Sequence, residues 1–246
     1  MPNLTELERE VHVWYLSTGD FRAEELAKFA TVLSSEERTR ANRFAFEKDR
    51  RSYVTAHWLV RKVLSHYLPV AQNQWEFTRG LFGKPSISAP KPTVPFEFNL
   101  SHTVGMVACA VTSVGPIGVD VERVRAQEYI DVARRFFAPE EVRQLERLPV
   151  PQQRSAFFRF WTLKEAYIKA VGKGLSVDLS RFGFRDVMGD EITIQFAEGD
   201  DDPADWQFFR HEPSDEFKIA AGVCCPPGSI VNWRLFATPP PGEATP

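Results

Sequence analysis

Apolar and polar positions alternate along 11–16, Val-His-Val-Trp-Tyr-Leu, the period of a half-buried strand. Leu26, Phe29 and Leu33 are spaced by three and four, which predicts a short helix. Ser34 and Glu37 form a capping-box pattern that starts another helix at about Ser35. Tyr53, Ala56, Val60, Val63 and Tyr67 mark one face of a longer helix that ends before Pro69. The stretch 74–95, rich in Gly and Pro, reads as short strands and loops. Strand-like runs follow at 96–100 and 104–112, then a Val-Gly-Pro turn at 114–116 and a strand at 117–121.

The second half repeats the order of helices followed by strands. Helices are expected at 130–137 and 140–148, separated by Ala138-Pro139. A strong helix is expected over 152–171, with Phe157, Phe160, Trp161, Ile168 and Val171 on one face and Gly172-Lys173-Gly174 at its end. Strands are expected at 191–196, 205–210, 217–224 and 230–236, and a disordered tail at 239–246. The class is α+β.

Composition narrows the choices. The 246 residues are 43% hydrophobic, with 20 Phe and 6 Trp, enough to pack a core and to set disorder aside. A net charge of −3 gives no general case for nucleic acid or an anionic membrane. The apolar stretch 104–121 is interrupted by Thr112, Ser113, Gly115, Pro116 and Asp120, so it reads as two strands and not as a membrane span. The acidic start MPNLTELEREVH lacks the apolar core of a secretory signal. Cys109, Cys224 and Cys225 have neither disulfide-framework nor metal-site spacing, which suits a cytoplasmic protein.

Three clusters carry chemistry. In Gly118-Val-Asp-Val-Glu122, Asp120 and Glu122 are two apart on an extended chain and point the same way. Paired carboxylates repel each other, and a hard cation such as Mg²⁺ relieves that repulsion; a strand end running into solvent is the alternative. On the strong helix, Glu165 and Lys169 share a face beside apolar residues. They read as a solvated ion pair, or with Glu165 as metal ligand or general base. Ser101-His102, after Phe98-Asn-Leu, offers a hydroxyl and an imidazole to an anion, or forms a structural pair. From Glu36 to Lys62 eight Lys/Arg face four acids, a net +4, and a subset turned into a cleft would bind phosphates.

Taken in order, GKP (83–85), FNLSH (98–102), GVDVE (118–122) and WTLKEAYIKAVGKGLS (161–176) resemble the signature series of the Sfp-type 4'-phosphopantetheinyl transferases, over about 33–176. Beyond Leu179 only the strand pattern is similar. The resemblance implies two similar α+β halves related by a pseudo-twofold axis, 1–115 and 116–238, with coenzyme A in the cleft between them. It implies Mg²⁺ on Asp120, Glu122 and Glu165, with Glu165 also the general base. Ser101, His102 and Lys169 would hold the pyrophosphate, with Lys164 nearby. Lys84 and Pro85 would form an adenine-contacting turn, and Arg40 and Arg79 would bind the 3'-phosphate. Some members carry a basic residue followed by Thr where this chain has Ser52-Tyr53, with Arg51 one position off. The implied activity moves phosphopantetheine from coenzyme A to a serine of an apo acyl or peptidyl carrier protein, in a monomer. A Mg²⁺-dependent phosphohydrolase and a silent coenzyme A or carrier-protein binder are the alternatives.

Overall fold

The computed structural model describes residues 4–126, 129–189, 191–197 and 202–239. In chain order it has β1 (Glu10–Ser17), α1 (Ala23–Thr31), α2 (Ser35–Ala41), α3 (Glu47–Tyr67), β2 (Glu76–Arg79), β3 (Pro85–Ala89), β4 (Glu97–Thr103), β5 (Met106–Thr112) and β6 (Ile117–Arg123). Then come α4 (Tyr129–Phe136), α5 (Pro139–Arg147), α6 (Val150–Val171), β7 (Phe182–Arg185), β8 (Thr193–Phe196), β9 (Trp206–Ser214), β10 (Phe217–Cys224) and β11 (Asn232–Phe236). The α+β class is as expected. The capping box forms as the sequence predicts, with Ser34 and Glu37 bonded reciprocally at the start of α2.

Two sheets stack between two long helices. One has the order β11-β1-β5-β4 and the other β6-β10-β9, while β2-β3 and β7-β8 form separate hairpins. Strand alternation distributes the side chains among three cores. On β5, Val107, Cys109 and Val111 join Trp14 and Leu16 of β1 against α3. The intervening Met106, Ala108 and Ala110 face the other way, onto Ile117, Val119 and Val121 of β6 and Ile219, Ala221 and Val223 of β10. A third core lies between the second sheet and α6, built on Phe157, Phe158, Phe160 and Ile168. The result is four layers: α3, sheet, sheet, α6. A strand buried on both faces reads as a continuous apolar run, which is why 104–112 had no polar face.

Three features differ from the sequence-based reading. Helix α6 begins at Val150, because Pro151 in its first turn has no amide hydrogen to lose. Strand β7, Phe-Gly-Phe-Arg, was not expected; four residues are too few to display alternation, and it is held by pairing with β8. The division at 115/116 assigns 232–236 to the second half, whereas β11 runs parallel to β1 at the edge of the first sheet. Residues 240–246 of the expected tail lie outside the described residues. No helix is long and apolar enough to cross a membrane among the described residues.

Candidate active site

Glycine 118 sets the distance between β6 and α6. A Cβ there would lie 1.9 Å from the Ala166 carbonyl oxygen and 2.5 Å from the Ala170 nitrogen, so only glycine lets the helix sit this close. Asp120 and Glu122 leave the strand on the same face as Gly118, under the turn of α6 that carries Glu165 and Lys169.

Asp120 is 4% exposed. Its Oδ1 accepts from Lys169 Nζ at 2.6 Å and from Ser101 Oγ at 2.9 Å, and Lys169 Nζ also donates to Ser101 Oγ at 2.8 Å. Its Oδ2 is buried with no hydrogen-bond partner. Glu122 pairs with Arg125 at 2.9 Å; burial and then the charge of Asp120 push its carboxyl up, against Arg125 and Lys169. Burial, followed by the charges of Asp120 and Glu122, pushes Glu165 up to about 7, with Lys169 opposing.

This donor set fits a hard divalent cation. It offers three carboxylates, an unpartnered buried oxygen and two groups that burial and neighbouring carboxylates make reluctant to ionise. The three are not already drawn to within 4.8 Å of one another. Among the described residues the group that close is Glu6, Glu10 and His12. There the His12 nitrogens are already engaged, Nδ1 2.5 Å from the Tyr67 hydroxyl and Nε2 2.7 Å from Glu10, so that group is structural.

A cavity of about 540 Å³ adjoins the carboxylates, lined by Arg40, Tyr53, Arg79, Pro85, Ser101, His102 and Lys169, with apolar Val60, Trp75, Phe77 and Phe98 behind. Six residues singled out from the sequence thus share one cavity: Arg40, Arg79, Pro85, Ser101, His102 and Lys169. The Arg40 guanidinium lies over the Tyr53 ring, 5.4 Å from its centroid. His102 is exposed at the cavity, with the Tyr53 ring edge-on to its own, centroids 6.4 Å apart. Burial first, then the positive charge of His57, Lys169 and Arg40, lower the imidazole to about 4.

Two residues expected at the ligand are turned away from it. Lys164 is fully buried on the other side of α6, paired with Glu141 at 2.7 Å and donating to the Leu179 and Phe182 carbonyls. One residue along a helix is a rotation of about 100°, so a neighbour of Glu165 faces the core and not the cleft. Lys84 directs its ammonium to the Ile117 and Ala170 carbonyls at 3.1 and 3.0 Å, tying the β2-β3 turn to β6 and to the end of α6. Its neighbours Gly83 and Pro85 line the cavity in its place. Arg51 is likewise committed, to the Thr18 and Phe21 carbonyls.

Sequence reasoning read Glu37 only as a cap, left Arg61 undivided within the basic stretch and missed His57; all three also line the cavity. The sign was present: His57 and Arg61 follow Tyr53 of the apolar stripe at intervals of four, one turn apart along α3.

Comparison with known proteins identifies the family. Residues 116–222 match the family model "4'-phosphopantetheinyl transferase superfamily", and residues 20–114 match "4'-phosphopantetheinyl transferase, N-terminal". The 4'-phosphopantetheinyl transferase HetI of Nostoc sp. is 40% identical over 71% of this chain and 74% of its own. The 4'-phosphopantetheinyl transferase Sfp of Bacillus subtilis is 32% identical over 71% of this chain and 76% of its own. A solved structure, the holo-[acyl-carrier-protein] synthase of Thermotoga maritima, is 22% identical over 45% of this chain and 63% of its own, with a TM-score of 0.36. On the strength of the two family models and of the 40% identity to HetI, the chain belongs to the 4'-phosphopantetheinyl transferase superfamily.

Proposed function

We propose that the protein transfers the 4'-phosphopantetheine of coenzyme A to a serine hydroxyl of an apo carrier protein, with Mg²⁺ at Asp120, Glu122 and Glu165. The observation that supports this most is the position of Ser101 and Lys169: both line the cavity and both bond to Asp120. A phosphate-bearing ligand in the cavity is thereby brought to the edge of the carboxylates.

Arg40 and Arg79 bind the 3'-phosphate, and the turn at Gly83–Pro85 borders the base. Ser101, His102 and Lys169 hold the pyrophosphate. The serine oxygen of the carrier attacks the phosphorus bearing pantetheine; the bond from that phosphorus to the bridging oxygen breaks and 3',5'-ADP leaves. Glu165 takes the serine proton as general base, its carboxylate kept ionised when Mg²⁺ is bound. Lys169 and His102 steady the charge gathering on the departing phosphate. Bound Mg²⁺ would supply further positive charge at the pyrophosphate. The same reading makes the protein a cytoplasmic monomer.

Incubation with coenzyme A, Mg²⁺ and several apo carrier proteins, followed by intact mass, tests the proposal. A carrier heavier by one phosphopantetheine is expected. Release of 3',5'-ADP without a modified carrier would favour phosphohydrolase chemistry instead.

A further inference from the structure

The short helix α2 reaches the cavity through Ser34, Glu36, Glu37 and Arg40, yet little holds it there by packing: Ala41 is its one buried residue. Two turns of helix are not stable alone. Arg40 makes no ion pair among the described residues, and a guanidinium over an aromatic ring at an open site is held only weakly. Something else must place Arg40.

Glu37 lies one turn before Arg40, and its carboxylate is saturated by donors from two helices. Oε2 accepts the Ser34 amide at 2.8 Å and Arg61 Nη2 at 2.7 Å. Oε1 takes His57 Nδ1 at 2.8 Å and Arg61 Nη1 at 3.3 Å. Burial favours the neutral carboxyl, but the hydrogen bond and charge of His57, the charge of Arg61 and the Ser34 amide together hold it at about 2. Arg61 is 1% exposed and stacks over Phe77, 4.9 Å from its centroid. Its other anchor is the His57 carbonyl, at 3.1 Å. Tyr53, His57 and Arg61 thus form a ladder along α3: the upper rung carries Arg40, and the two lower rungs grip Glu37.

We infer that Glu37 is a positioning residue for nucleotide recognition: its half-buried bonds to Arg61 and His57 dock α2 on α3 and thereby hold Arg40 at the cavity. A half-buried carboxylate with four donors has a single geometry, unlike a greasy contact that can slide. The inference rests on the assignment of Arg40 to the 3'-phosphate made above.

Calorimetry compares the affinities of coenzyme A and 3'-dephospho-coenzyme A, in the presence of Mg²⁺, for wild type, R40A, E37Q, E37D and the double variant E37Q/R40A. E37D keeps a charge opposite Arg61, whereas E37Q leaves that buried cation without a counter-charge; E37D is one methylene too short to hold all four donors. The preference for coenzyme A should fall about tenfold or more in R40A, the range for a lost charged hydrogen bond. It should fall comparably in E37Q and by a smaller factor in E37D, while affinity for the dephospho ligand stays within about twofold. E37Q/R40A should discriminate no worse than R40A, because both changes remove the same contact. If R40A lowers the preference and E37D and E37Q keep the wild-type ratio, the positioning role is overturned and the assignment of Arg40 stands. If E37Q does not fold, E37D decides alone. If R40A leaves the ratio unchanged, both are overturned.

Discussion

Glutamate 165 is the residue whose replacement is most informative, because the structure gives it opposite effects on stability and on catalysis. In metal-free protein its carboxyl ionises at about 7, up from the usual 4.5. The folded-state value is raised, so the folded protein holds its proton more tightly than the unfolded chain does. Stability is therefore highest below about 4.5 and is lost as pH rises to 7, by a total of about 3 kcal/mol. Glu165→Gln removes the ionisable group along with this loss. Chelator-treated E165Q should thus be more stable than wild type at pH 8 by a substantial part of that figure, and close to it at pH 4.5. Mg²⁺ should reverse the order, since wild type offers the ion one more charge. Transfer to an apo carrier should fall by roughly 10²–10⁴, the range for losing a general base, while coenzyme A still binds through contacts made elsewhere. Urea unfolding at the two pH values, with and without Mg²⁺, and single-turnover transfer are the assays. Equal pH dependence in the two proteins together with near wild-type transfer would refute the placement of Glu165 beside Asp120 and Glu122.

Other consequences are as direct. Asp120→Ala, or chelation of the wild type, should abolish transfer even at saturating coenzyme A; full activity in chelator would remove Asp120 from metal binding. Gly118→Ala puts a methyl 1.9 Å from a backbone oxygen, so α6 must shift; we expect a loss of about 1–3 kcal/mol in denaturant unfolding together with weakened Mg²⁺ binding. Lys164→Ala leaves the Glu141 carboxylate buried without its partner and should cost about 3–5 kcal/mol, with coenzyme A affinity of the folded fraction unchanged by calorimetry; a selective loss of affinity would return Lys164 to the cavity. Acid should also weaken the protein: the Glu37 carboxyl, held at about 2, contributes stability that is present above 4.5 and lost as pH falls to 2, a loss that E37Q should lack in acid unfolding curves.

What the sequence determined by itself is what depends on near neighbours in the chain. The capping box at Ser34 and Glu37, the long helices with their stripes, and the same-side placement of Asp120 and Glu122 are consequences of helix and strand periods. Motif order then pointed to the family that both halves match. Tertiary structure decided what depends on which layer a face meets. The sequence of β5 is apolar throughout, and only the stacking of two sheets shows that alternate residues serve two different cores. Strand β11 crosses to β1, a pairing between residues 222 apart that no local period records. Lys84 and Lys164 sit inside the motifs but spend their charge on backbone carbonyls and Glu141, because a long side chain goes where a buried acceptor would otherwise lack a partner. Glu37 was legible as a cap and not as a brace, since its second role needs Arg61, twenty-four residues along the chain, and only packing α2 on α3 brings the two within 2.7 Å.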